Sequence, residues 1–469
     1  MRDYKILLNE VLERIKPSES ERRILSNIIR KVMGRAERYL VKHNLDVDVK
    51  VEGSVAKDTW LSGDRDLDIF LRFPKSIGKN GLIKFGLEMA KFIAGENYVE
   101  CYAEHPYIEA EIEGFKVDLV PCFKVDSPSE IASSVDRTPF HTEYVNLRLN
   151  GHLKNEVRLL KKFMKGIGVY GAEIKIRGFS GYLCELLTIF YKSFINVLKG
   201  SLKWHPFSTI IDIEGYYVGF EDEALKMFNS PLIVVDPVDR KRNVAAALSL
   251  NNMCKFMSAA HIFLKNPSLE FFFPKPVQPL SRSEILEQIH ERGSEFMFIL
   301  TGCPKIHPDI LWGQLYKSLE GIENLLRSFD FNIINSTVWS NEKDLVIFIL
   351  ELERLNLPTV KRHIGPPVYN LDDSERFLRK YLYSSKVLSG PSVENDRWVV
   401  YVKRKHTSAI KLIRDDIFRA RLGELVKSAF QERFEILVNE EIIDIYVKNP
   451  FFASFFTSHL HGRPGWLKL

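Results

Sequence analysis

The sequence predicts a multidomain α+β protein: an α/β head with a small mixed sheet, a helical central domain and an α+β C-terminal region. Three observations carry this. At 469 residues the chain has room for three or four domains, each with its own core. Apolar residues alternate between period 2 and period 3.6 through the first 140 positions, then recur mainly at helical spacing to about residue 265. The stretch Asn266-Pro267 through Pro274-Lys275-Pro276 and Pro279 reads as a hinge. The expected domains are therefore 1–140, 141–265 and 266–469.

The elements follow in order. Ser18-x-x-Glu21 is a capping box opening a helix with Ile24, Ile28, Ile29, Val32, Ala36 and Tyr39 at helical period. Val47, Val49 and Val51 alternate as a strand that delivers the turn Gly53-Ser54, which opens a further helix. A strand follows at Asp66–Leu71. Gly81–Ala94 is a helix with Leu82, Phe85, Met89 and Phe92 or Ile93 inward. Strands at Tyr107–Ile112 and Phe115–Cys122 flank the turn Glu113-Gly114. The central region holds helices at Asn155–Gly166, Gly181–Leu198 and Ala245–Leu264, with a short buried strand at Pro231–Val235.

Past the hinge come a strand (Glu295–Leu300), a helix (Pro308–Ser328) and strands at Phe331–Trp339 and Asp344–Leu352. That order resembles an RNA-recognition-like unit. Asp373–Tyr383 reads as a helix, Arg397–Lys403 as a strand and Ala409–Ala429 as one charged helix.

Composition narrows the class. A hydrophobic share of 45% and a charged share of 27% are those of an ordinary globular protein, so a disordered or fibrous chain is excluded. A net charge of +5 fits a nucleic-acid partner without demanding one. Cys101, Cys122, Cys184, Cys254 and Cys303 are scattered, with neither zinc-ligand spacing nor a disulfide framework. The N-terminus is charged and no apolar run could span a bilayer, so a cytoplasmic protein with no membrane partner is expected.

The chemistry concentrates in Gly53-Ser54 and Asp66-Leu67-Asp68. Strand side chains alternate, so Asp66 and Asp68 share one face while Leu67, Ile69 and Leu71 share the apolar one. Two like charges side by side are costly unless a cation lies between them, and hard oxygen ligands suit Mg²⁺. Asp118 stands opposite Val117 and Leu119 on its own strand. If the two strands are neighbours, three carboxylates meet. Two metals roughly 3.5–4 Å apart could then activate a 3′-hydroxyl and stabilise a leaving pyrophosphate. Without a Walker loop, this pattern points to nucleotidyl transfer. Read alone, paired aspartates near Gly63 also describe a solvated turn, and Ser54 an ordinary N-cap.

Gly53-Ser54 with Asp66, Asp68 and Asp118 resembles the nucleotidyltransferase superfamily that includes DNA polymerase β. A narrower resemblance rests on five ordered blocks: Tyr102-Ala103-Glu104-His105-Pro106-Tyr107, Val117–Cys122, Ser134–His141, Arg177–Leu186 and Val234–Ala245. All are similar to the archaeal, class I tRNA CCA-adding enzymes. The resemblance implies a polymerase-β-like nucleotidyltransferase head, a central domain that recognises the base and a C-terminal region that grips tRNA. It implies Asp66, Asp68 and Asp118 as catalytic ligands of a two-metal Mg²⁺ site. It assigns Ser54, Lys57, His141, Lys161, Tyr170 and Arg242 to ATP and CTP. Lys57 stands where the family pattern carries Arg, and Asp66 where it often has Glu.

By residue chemistry alone, Arg158, Lys161, Lys162 and Lys165 form one helix face of the kind usually left in solvent. His141 reads equally as a satisfied core histidine, and three basic residues at Arg240-Lys241-Arg242 compete for one role. Phe271–Phe273 and Phe451–Phe456 read as core or hinge packing in preference to base stacking. Lys403–His406 with Lys411 and Arg414 is either an RNA-tracking patch or a solvated face. The implied reaction is template-independent addition of CCA to the 3′ end of tRNA from CTP and ATP. The rivals are another RNA 3′-nucleotidyltransferase, such as a poly(A) polymerase or oligoadenylate-type synthetase, and a non-catalytic RNA-binding module. Expected partners are tRNA, CTP and ATP, with a homodimer left open.

Overall fold

A computed structural model describes residues 2–102, 106–127, 130–131, 133 and 135–467. Of the family-like blocks, Ala103, Glu104, His105 and Ser134 lie outside these. The chain forms two compact units, Met1–Lys275 with Pro464–Leu469, and Pro276–Arg463. Among the described residues, no helix is long and apolar enough to cross a membrane.

In the first unit, α1 (Arg2–Ile15) precedes α2 (Glu19–His43), whose Ser18/Glu21 capping box is formed in full. A five-stranded sheet comprises β1 (Asp48–Glu52), β2 (Asp66–Pro74), β3 (Tyr98–Tyr102), β4 (Pro106–Ile112) and β5 (Phe115–Lys124). Its order is β1-β2-β5-β4-β3, with β2 and β5 parallel and the other pairs antiparallel. One face is apolar: Leu67, Ile69, Leu71, Val117 and Leu119 join a core with Leu25, Ile28 and Val32 of α2. The residues between them are left on the other face, which is where the acidic side chains stand.

The single turn α3 (Gly53–Ala56) bridges β1 toward β2, and α4 (Gly78–Ala94) covers the apolar face. Its inward residues are Leu82, Gly86, Met89, Ala90 and Ile93; of the two alternatives at the last position Ile93 is the inward one and Phe92 is exposed, and Phe85 is exposed, contrary to the sequence reading. Gly86 explains the shift: a Cβ there would lie 2.5 Å from Pro121, so the helix approaches β5 too closely for a phenylalanine on that side.

The central helices are α5 (Thr138–Arg148), α6 (Gly151–Gly166), α7 (Gly181–Tyr191), α8 (Phe194–Ser201), α9 (Glu221–Phe228) and α10 (Leu250–Lys265). The expected helix 181–198 is two helices. Lys192 takes a left-handed conformation at φ 69°, and the Ser193 side chain caps α8. Likewise α10 starts at Leu250, not Ala245, because the Ser249 hydroxyl caps it there. Two short strands, β7 (Ile233–Asp236) and β8 (Asp239–Asn243), pair antiparallel, and β6 (Ile210–Ile211) adds to β7. Phe163 lies at the centre of this core, in ring contact with Phe194, Phe256, Phe263, Phe271 and Phe272. The Phe271–Phe272 pair is thus core, and Val11 and Ile15 of α1 belong to the same cluster.

The second unit contains an antiparallel sheet in the order Ile333–Ser340, Leu345–Leu352, Glu295–Gly302, Phe434–Val438. It includes the anticipated strand–helix–strand–strand run, with helix Pro308–Ser328 packed through Leu311, Leu315 and Ile322. Phe452 and Phe456 are buried in a separate core, while Phe451 is exposed. A second sheet joins Val360–Pro367, Arg397–Lys403 and Val387–Glu394, flanked by helix Leu371–Tyr381. The segment 409–429 is not one helix: Ala409–Asp416 ends, and a new helix starts at Glu424. Gly423 caps the new helix in an extended conformation, so near Gln314 that a Cβ there would lie 2.6 Å from it.

Candidate active site

The strands that carry the three carboxylates are neighbours, and two of the carboxylates are register partners. In the parallel pairing of β2 with β5, Asp68 stands opposite Asp118 and Asp66 opposite Lys116. Neighbouring strands are about 4.8 Å apart, and register partners point to the same side. Glu109 of β4 lies beyond Asp118 in the same row and ion-pairs with Lys116 at 2.8 Å. Gly53 comes in from β1 with φ +68°, so close that a Cβ there would overlap Asp68 Oδ2 at 1.8 Å. Only glycine brings the turn this near the carboxylate. Ser54 is the second residue of the one-turn α3, and Glu52, not Ser54, occupies the N-cap position.

The electrostatics are those of charge without enough counter-charge. Burial pushes the Asp118 carboxyl up to about 7; Lys116 opposes this, and Asp68, Glu109 and Asp66 add to it. Burial also raises Asp68, opposed by Lys57 and reinforced by Asp66. Asp118 Oδ1 is buried and has no hydrogen-bond partner among the described residues. Among these residues no three His, Cys, Asp or Glu side chains are already drawn together around a common ligand position. The donor set is all oxygen, one oxygen is buried and unpaired, and the pair is repulsive. These features fit a hard divalent cation.

A raised folded-state pKa gives this a sign. An unfolded aspartate titrates near ~3.9, whereas folded Asp118 titrates at about 7. The native state binds the extra proton between those values, so metal-free stability falls as pH rises from about 4 to about 7. Asp118→Asn removes that loss. Its melting temperature relative to wild type should climb between pH 5 and pH 8 in chelator, read by differential scanning calorimetry. A difference independent of pH would contradict the assigned environment.

Beside the carboxylates lies a buried cluster. Lys57, just after α3, donates to Glu185 Oε2 at 2.6 Å. Lys161 of α6 reaches Glu185 Oε1 at 3.2 Å and Thr59 Oγ1 at 2.9 Å, and Thr59 itself donates to Glu185 Oε1 at 2.6 Å. Burial alone would raise Glu185, but the two ammonium groups and Thr59 outweigh it and hold it at about 2. Arg158 and Lys161 are therefore buried, against what the charge pattern of that face suggests, whereas Lys165 is exposed. Arg158 donates to the Trp60 and Asp58 carbonyls at 3.0 and 2.6 Å, and Lys165 pairs with Asp64 at 2.7 Å. This face fastens the segment between the Gly-Ser turn and the aspartate strand to α6. Tyr170 belongs to the same place, since a Cβ on Gly181 would lie 3.1 Å from its hydroxyl and 3.5 Å from Lys161 Nζ.

His141 and Arg242 form a second cluster around the fully buried Asp236. His141 Nε2 and Arg242 Nη1 lie 2.9 and 2.7 Å from Asp236 Oδ2. Tyr182 donates to Asp236 Oδ1 at 3.3 Å, and its ring stacks on His141 with centroids 4.0 Å apart. Burial lowers the His141 pKa against the pull of Asp236. Arg242 borders an open cavity of about 710 Å³ shared with Arg137, Ser180 and Asp239. Of the three competing basic residues, Arg242 is the one fixed on Asp236. Tyr182 and Glu185 lie one turn apart on α7, so this helix serves both clusters.

Sequence reasoning assigned no role to Glu185, Asp236, Thr59 or Tyr182. Glu185 does carry a signal: it is the only charged residue in the helix GYLCELLTIFY. Asp236 similarly ends the apolar run Leu232–Val235.

Three family models match successive parts of the chain: a nucleotidyltransferase domain at residues 33–141, the second domain of tRNA nucleotidyltransferase at 155–273, and the C-terminal domain of CCA-adding enzyme at 292–439. The CCA-adding enzyme of Methanosarcina acetivorans is 41% identical over 451 residues, covering 95% of this chain and 96% of that one. That of Methanothermobacter thermautotrophicus is 38% identical, covering 93% and 94%. That of Saccharolobus islandicus is 40% identical over 373 residues, covering 79% and 84%. Relatives this similar along most of both lengths leave one conclusion: the chain belongs to the CCA-adding enzyme family of tRNA nucleotidyltransferases.

Proposed function

We propose that Asp66, Asp68 and Asp118 are the catalytic carboxylates of a two-Mg²⁺ site at which this chain adds C, C and A to the 3′ end of tRNA without a nucleic-acid template. Divalent metal use belongs to the nucleotidyltransferase family; Mg²⁺ in particular is our assignment from the all-oxygen donor set. The carrying observation is the in-register pairing of Asp68 with Asp118, next to a glycine turn that touches Asp68. Bound there, the metals would supply charge stabilisation at the attacking and leaving oxygens.

The chain's own residues do the rest. Asp118, with a buried unpaired oxygen, lies on the side of Asp68 away from the Gly-Ser turn, where the tRNA 3′-hydroxyl would approach. Ser54, Lys57, Lys161 and Tyr170 would hold the triphosphate of CTP or ATP. His141 and Arg242, joined by Asp236, would border the nucleoside. Cytosine and adenine both present an exocyclic amine beside a ring-nitrogen acceptor, so the Arg242 donor favours them over guanine and uracil. Attack on the α-phosphate releases pyrophosphate at each of three additions. The cytoplasm, where tRNA matures, is the proposed compartment.

The test is incubation of end-trimmed tRNA with CTP alone, ATP alone and both, with and without Mg²⁺. CTP alone should extend the RNA by two residues and the mixture by three. A long single-nucleotide tail would favour a poly(A)-type enzyme, and RNA binding without incorporation would favour a non-catalytic module.

A further inference from the structure

We propose that Glu185 is a positioning residue for nucleotide binding: it holds Lys57 and Lys161 charged and in place to receive the triphosphate. This rests on the reading that those two lysines contact the phosphates.

Glu185 has no solvent exposure and sits among Leu183, Cys184, Leu186 and Leu187, all buried. A charge in such a place is expensive, and as mere adhesive between helices it would be matched or bettered by an apolar residue. Its partners explain its presence. Lys57 and Lys161 are only 6% and 2% exposed, and Glu185 is the one carboxylate that pairs with either among the described residues. Each carboxylate oxygen takes one ammonium, at 2.6 and 3.2 Å. Thr59 shares the Lys161 oxygen and anchors it from the neighbouring segment.

The count of charges matters. Two ammonium groups against one carboxylate leave the cluster with one excess positive charge beside the acidic row. Without the carboxylate, the two would repel each other in a buried pocket, and burial, which already lowers the Lys161 pKa against the pull of Glu185, would act unopposed on it. A neutral amine gives little to a triphosphate. Glu185 therefore acts through the lysines: it keeps both cations available and fixes their separation, while itself facing away from solvent.

Glu185→Gln keeps the volume and a hydrogen bond for Thr59 but removes the charge. It should raise KM for both CTP and ATP by about tenfold while kcat changes less than about threefold. Competitive inhibition by inorganic tripolyphosphate should weaken in parallel, and tRNA affinity should stay within about twofold. Glu185→Asp, which keeps the charge, should recover part of the lost affinity. If Glu185→Gln lowers kcat, tRNA affinity and melting temperature together with no KM split, Glu185 is a structural strut and the proposal fails. Failure of Glu185→Asp to bind nucleotide better than Glu185→Gln, on folded protein, overturns it as well. Lys57→Met and Lys161→Met separate the two levels. If they raise KM while Glu185→Gln does not, only the positioning role falls. If they leave KM unchanged, the triphosphate site itself is misplaced.

Discussion

Asp68→Asn should lower incorporation of CMP into end-trimmed tRNA by roughly a thousandfold or more, the loss expected when several kcal/mol of metal-borne charge stabilisation disappears. The substitution is nearly isosteric, and the side chain lies at the sheet face, outside the apolar core. Fold and tRNA affinity should therefore persist, with filter-binding Kd within about twofold of wild type. Stability without metal should hold or rise, because a carboxylate whose ionisation burial and Asp66 both resist is exchanged for a neutral amide. Activity within tenfold of wild type would remove Asp68 from the chemistry. The two-metal reading would fall with it.

How far the sequence could carry the reading follows from which interactions are local. The Ser18 capping box, the period-2 aspartates and the turn at Glu113-Gly114 are short-range patterns, and each is present in the structure. The register of Asp68 against Asp118 is long-range, and only the resemblance implied that these strands are neighbours. The basic face on α6 shows the opposite case. Spacing alone gives a solvated stripe, because helix period says nothing about what packs opposite. What buries Arg158 and Lys161 is the segment Lys57–Trp60, about a hundred residues earlier. Glu185 and Asp236 escaped assignment for the same reason: their partners come from distant segments. The helix break at Lys192 turns on a left-handed residue, and the one after Asp416 on an extended Ala420, neither of which hydrophobic period encodes.

Gly53→Ala tests whether the close approach of the turn is part of the machinery. Alanine at φ +68° costs about 1–2 kcal/mol in backbone strain alone. Its Cβ would also fall 1.8 Å from Asp68 Oδ2, so either the turn or the carboxylate must move. A displacement near 1 Å at reacting groups costs about a hundredfold in rate. Gly63→Ala supplies the control. Gly63 also has a left-handed φ, +84°, but a Cβ there meets nothing within 4 Å. Both variants should lose stability to backbone strain in urea denaturation, Gly53→Ala the more because its Cβ also meets Asp68. Only Gly53→Ala should lose kcat, by about a hundredfold. Equal losses in both would trace the effect to backbone strain and leave the Gly53–Asp68 contact without a role. A large kcat loss confined to Gly53→Ala would mean that the position of the Asp68 carboxylate, and not its presence alone, sets the rate.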